Sequence, residues 1–120
     1  MTSAGDFYDH LETRDPEQRE LALFSLLPDF LERVKESAPA WSAHLENVEA
    51  GEVTSREALA RLPVMRKGDL KKLQMARPPL GGLSLNEDMP AGRVFMSPGP
   101  IFEPEGLAED WWRSARALYA

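Results

Sequence analysis

The sequence predicts a mainly α-helical protein: several short helices, then a loop rich in proline and glycine with one short strand, and a terminal amphipathic helix. Three observations carry this. Apolar residues recur at steps of three and four between residues 16 and 75, helix-starting residues stand before such runs, and prolines and glycines crowd the stretch after residue 76. The chain divides accordingly into a helical region (1–76), a Pro/Gly-rich loop (77–105) and a terminal amphipathic helix (106–120).

Residues 1 to about 14 are polar, with Phe7, Tyr8 and Leu11 as anchors for a short helical turn or a docked tail. The first firm helix start is Asp15-Pro16-Glu17-Gln18. Asp15 can accept hydrogen bonds from the unpaired N–H groups of a first turn. Pro16 lacks an N–H where none is needed, and Glu17 opposes the positive helix end. Leu23, Leu27, Phe30, Leu31 and Val34 then form one apolar stripe. Pro28 removes the hydrogen bond to the Phe24 carbonyl, so a kink or brief break is expected, with both halves facing one core.

Pro39 to Leu45 reads as a shorter helix and Gly51 as a loop. Thr54, three residues before Glu57, forms a capping-box pattern that opens a helix carrying Ala58, Leu59 and Leu62 as far as Pro63. A further helix from about Lys67 to Met75 turns Leu70 and Leu73 inward and leaves Lys71 and Lys72 in solvent. Beyond it, the one expected strand is Arg93-Val94-Phe95-Met96, ahead of Ser97-Pro98-Gly99-Pro100. No helix start follows Gly81-Gly82, so this pair reads as a flexible link. In the terminal helix Leu107, Trp111, Ala115 and Leu118 share a face. The pattern reaches Ala120 without a glycine cap or closing proline, and Trp111, Trp112, Leu118 and Tyr119 need a partner surface, from the earlier helices or a further domain.

A chain of 120 residues suits one domain or a piece of a larger one. With 42% hydrophobic and 28% charged residues, wholesale disorder is not expected. The net charge of -6, from 14 basic and 20 acidic side chains, argues against a nucleic-acid partner and against a polybasic membrane anchor. The absence of cysteine excludes disulfides, thiolate zinc sites and a cysteine nucleophile. No apolar run approaches the roughly 20 residues that span a bilayer. Met1-Thr2-Ser3-Ala4-Gly5-Asp6 lacks the basic-then-apolar order of a secretory leader. A cytoplasmic location is the expectation.

The segment Arg93-Val94-Phe95-Met96-Ser97-Pro98-Gly99-Pro100-Ile101-Phe102-Glu103-Pro104-Glu105-Gly106 resembles a subgroup of phenylacetate-CoA-ligase-like proteins, in which Ser-Pro-Gly-Pro-Ile precedes an aromatic residue and Glu-Pro-Glu-Gly. Leu62-Pro63-Val64-Met65-Arg66-Lys67-Gly68-Asp69-Leu70 resembles that family's stretch before the nucleotide loop. Arg77-Pro78-Pro79-Leu80-Gly81-Gly82-Leu83 falls where the family has a proline- and glycine-rich link, and Tyr8 to Arg19 fits its opening. The resemblance spans most of this chain and about the first quarter of a family member.

It implies an N-terminal fragment or subunit of an adenylate-forming enzyme, a truncated part of a larger α/β fold. Such enzymes use ATP and Mg2+ to adenylate a carboxylic acid and then form a thioester with coenzyme A. Small residues in their phosphate loop, between a strand and a helix, let backbone N–H groups approach phosphate. Ser97 and Gly99 match that loop and are the candidate nucleotide-binding residues. Pro98 and Pro100 remove donors, Pro100 and Ile101 stand at hydroxyl positions, Phe102 replaces a glycine, and Glu103 replaces a lysine. No catalytic or metal-binding residue is carried over, so this chain is expected to be inactive alone. Its expected partner is the remainder of the ligase or a partner subunit, with a homo-oligomer as an option. The competing expectation is a non-catalytic helical interaction module derived from that fold.

Individual residues weigh the same way. His10 and His44 lack metal-ligand spacing. Glu103 and Glu105 could form an acid–base pair, but acids flanking a proline more often face solvent or cap a helix. Trp111 fits core packing, while Trp112 fits a partner contact. Arg113 and Arg116 fit a solvated helix face better than a phosphate site.

Overall fold

The computed structural model describes residues 7–85, 92–110 and 114–119. They form a small helix-rich domain with one two-stranded antiparallel sheet. The order is α1 (Pro16–Ser37), α2 (Pro39–His44), a 3-10 turn (Ala50–Glu52), α3 (Arg56–Ala60), α4 (Lys67–Ala76), β1 (Val94–Ser97), β2 (Ile101–Pro104) and α5 (Ala115–Leu118).

Helix α1 begins as the sequence predicts. The Asp15 carboxylate accepts the N–H groups of Glu17 and Gln18, and Pro16 occupies the first helical position. Of the kink or break expected at Pro28, the break is absent: α1 runs through it as one helix. Only its C-terminal half faces the core. Leu31 and Val34 are buried with Leu27 beside them, whereas Leu23, Leu26 and Phe30 are exposed. The spacing rule located a stripe correctly, but α2 and the 3-10 turn cover only part of it. The Ala38 N–H closes α1 on the Val34 carbonyl, 3.0 Å away, and Pro39 starts α2 at once.

The core joins Leu31, Val34, Leu45, Ala50, Val53 and Ala58, so it sits among α1, α2, the 3-10 turn and α3. Gly51, expected in a loop, lies within the 3-10 turn. Lys35 extends to the edge of this core and donates to the Val48 carbonyl at 2.6 Å. The cap of α3 is Ser55, not Thr54: the Ser55 hydroxyl accepts the Ala58 N–H at 3.2 Å. The capping box was therefore placed one residue early. The Glu57 carboxyl is held below its ordinary value by its own N–H and by the Ser55 hydroxyl.

Two expectations fail in the second half. The single strand is a hairpin, with Val94 opposite Pro104 and Ser97 opposite Ile101. The helix over 106–120 is confined, among the described residues, to Ala115–Leu118, because residues 107–110 form bends and turns and the Asp110 carboxylate accepts the N–H groups of Ser114 and Ala115. An acceptor there satisfies the free donors of a helix that starts late. The readings made for Trp111, Trp112 and Arg113 lie outside the described residues.

The Gly81-Gly82 pair is a packed turn instead of a flexible link. Both glycines are buried with φ of 73° and 72°. A Cβ on Gly81 would stand 2.9 Å from the Gln74 nitrogen and the Leu73 carbonyl carbon. The turn hugs the C-terminal end of α4, and the Gly82 carbonyl accepts the Ala40 N–H at 3.0 Å, which ties α4 to α2.

Candidate functional site

Ser97 and Gly99 lie where β1 turns into β2. Their turn joins two antiparallel strands, so what directly follows it is a strand and not a helix N-terminus. A phosphate loop depends on that strand-to-helix geometry. Pro98 and Pro100 contribute no N–H groups either. In this structure Ser97 and Gly99 stand at the reversal of the chain between paired strands.

What anchors the hairpin is Gln74, the one buried polar residue among those described. Its amide nitrogen donates to the Phe102 carbonyl at 2.8 Å and its amide oxygen accepts the Phe102 N–H at 2.9 Å. The side chain thus pairs with β2 as a neighbouring strand would. Sequence reading missed it because a glutamine among lysines looks solvated. Its i, i+4 relation to inward-facing Leu70 was the available signal. Similarly, two β-favouring runs around a Pro-Gly turn signalled the hairpin.

Beneath this clamp is a cavity of about 270 Å3, lined mainly by Trp41, Leu70, Leu80, Leu83, Ile101 and Phe102. It is largely apolar, with Glu103 at its edge. Glu105 does not join Glu103 as an acid–base pair. Arg93 grips its carboxylate through Nε, 3.1 Å from each oxygen, and this holds the carboxyl below its ordinary value. The Glu105 N–H also donates to the Arg93 carbonyl at 2.7 Å, closing the open end of the hairpin. A carboxylate locked in this way is a poor proton shuttle near neutrality.

His44 contacts the Pro63 carbonyl at 3.1 Å and meets Trp41 edge-on. The His10 carbonyl accepts the Thr13 hydroxyl. Among the described residues, no three His, Asp or Glu side chains converge as a metal site would require. Lys72 pairs with Asp69 on the exposed side of α4. No helix among the described residues is long and apolar enough to cross a membrane.

The largest unexplained feature is apolar surface. Leu23, Leu26 and Phe30 are 58%, 67% and 51% exposed, and their spacing of three and four sets them in one stripe along α1. Leu21 is exposed on the opposite side of the helix. Val94 and Met96 extend exposed apolar surface onto one face of the hairpin. Among the described residues no large side chain is fully buried. A radius of gyration of 17.1 Å exceeds the roughly 14 Å of a compact domain of this length.

No protein-family model, curated protein or solved structure matches the chain.

Proposed function

We propose that this chain is a non-catalytic docking segment whose partner is the catalytic part of a phenylacetate-CoA-ligase-like adenylating enzyme. The observation that carries the docking role is the uncovered Leu23-Leu26-Phe30 stripe on a helix whose other half is packed. Apolar surface arranged in a continuous stripe gains free energy when a partner covers it. The identity of the partner rests on the sequence resemblance. On this reading ATP, Mg2+ and coenzyme A belong to the partner's site, and the segment provides shape and surface.

Reading the coding sequence beyond the codon for Ala120, and expressing the longer product, tests the proposal. A ligase-like continuation is expected, with pyrophosphate release that needs ATP and an aryl acid, and none from residues 1–120 alone. Acyl-adenylate formation by these 120 residues would overturn the non-catalytic role. A stop codon after Ala120, together with a defined homo-oligomer closed by the α1 stripe, would overturn the ligase partner and leave a self-contained interaction module.

A further inference from the structure

A second recess opens where the N-terminal turn, the start of α1 and α5 meet. It holds about 460 Å3 and is lined by Leu11, Glu12, Arg14, Arg19, Arg116 and Ala117. Three arginines thus line one cavity in a chain of net charge -6. Their internal commitments differ. Arg116 is held by Asp9, with Nε 3.0 and 3.1 Å from the two carboxylate oxygens. Arg14 donates only through Nε, to the Leu11 carbonyl at 3.2 Å, which leaves its two terminal nitrogens available among the described residues. Arg19 has no side-chain hydrogen bond or ion pair among the described residues.

The neighbouring acids do not cancel this charge. Glu12 is on the lining, where its carboxylate accepts the Tyr8 N–H at 2.7 Å. Asp9 stands behind Arg116. Asp15 is turned to the N–H groups of Glu17 and Gln18 and is not on the lining. Counting Glu12 on the lining and Asp9 paired with Arg116 leaves an excess of one positive charge, and Asp15, with its carboxylate on the α1 N–H groups, lies outside that count. The guanidinium group stays charged at any physiological pH and presents paired donors in a planar fork.

We infer that this recess binds a phosphate group, as a phosphate ester or pyrophosphate, with Arg19 and Arg14 supplying free forks and Asp9-held Arg116 a fixed one. One fork satisfies a carboxylate, whereas several forks lining one recess match the additional oxygens of phosphate. The site lies on the terminal clasp of the fold and does not depend on the docking role or on the ligase resemblance.

The test is an NMR titration of the isolated chain at low salt with inorganic pyrophosphate, a short phosphoserine peptide and acetate. Saturable shifts are expected at Leu11, Arg19 and Ala117 with pyrophosphate or the peptide, weakening as salt is raised. Tighter pyrophosphate binding assigns a small-molecule ligand and tighter peptide binding a phosphoprotein. Arg19→Ala should weaken binding about tenfold, the loss of one charge-assisted hydrogen-bonding group. That variant removes no side-chain hydrogen bond or ion pair among the described residues, and an unchanged urea midpoint checks that its fold is intact. Arg33→Ala, an equal charge change further along α1, should leave binding unchanged. Absence of saturable binding would overturn the proposal, as would equal losses in Arg19→Ala and Arg33→Ala. Acetate binding as tightly as pyrophosphate would overturn the assignment to phosphate.

Discussion

Gln74 shows how one side chain can settle the position of an element. Its amide pairs with both backbone groups of Phe102, so the hairpin docks on α4 in a single register. Gln74→Leu keeps the volume but leaves the Phe102 N–H and carbonyl unpaired at a partly buried site. Urea denaturation should show a loss of about 2–3 kcal/mol. Gln74→Glu retains the acceptor for the N–H and sets a carboxylate against the Phe102 carbonyl, so it should not rescue stability. Gly81 is constrained equally closely. Its positive φ and the 2.9 Å approach of a Cβ to α4 backbone both exclude a side chain. Gly81→Ala should cost about 2 kcal/mol or more, whereas Gly51→Ala, where a Cβ meets nothing within 4 Å, should stay within about 0.5 kcal/mol. Paired urea midpoints for the two variants check this.

At the scale of elements, α1 divides into a half that holds the core and a half that does not. Leu31→Ala empties a buried position and should destabilise by about 3 kcal/mol. Leu26→Ala, on the exposed stripe, should change stability by less than about 0.5 kcal/mol. If Leu26 proves as costly as Leu31 in the isolated chain, the stripe is already covered and the docking proposal fails. The start of α3 offers a second contrast. Ser55→Ala removes the acceptor for the Ala58 N–H and should cost about 1 kcal/mol in thermal or urea unfolding, while Thr54→Ala should be nearly neutral.

Across the whole molecule, the N-terminal turn and α5 are clasped together. Asp9 and Arg116 pair across 107 positions of sequence, and Tyr8 meets Tyr119 edge-on with ring centres 5.8 Å apart. The pairing, chiefly the hydrogen bonds from Arg116, holds the Asp9 carboxyl below its ordinary 3.8. Glu105 and Glu57 are likewise held below 4.5. A group whose folded-state pKa is lowered adds stability above its unfolded value, and that contribution disappears as pH falls through the folded value. Stability should therefore hold steady from neutrality to just above these ordinary values and decline below them. Arg116→Leu should flatten the acid limb by removing the Asp9 contribution, a difference that unfolding measured at several pH values will register.

The sequence by itself determined the locally encoded features: the Asp15–Pro16 start of α1, the turn from Ala38 into α2, the extent of α4 and the mainly helical character. Each depends on backbone donors and apolar spacing within a few residues, which are visible in order along the chain. Tertiary structure alone decided which half of the α1 stripe is covered, that Gly81-Gly82 packs tightly, and that a glutamine completes a strand edge. It also decided that the turn at Ser97 and Gly99 reverses the chain between strands, and that Arg14, Arg19 and Arg116 share one recess. These outcomes depend on contacts between distant segments, and local spacing cannot specify which face meets which neighbour. A polar side chain gains its role only when the backbone it satisfies arrives from elsewhere in the fold.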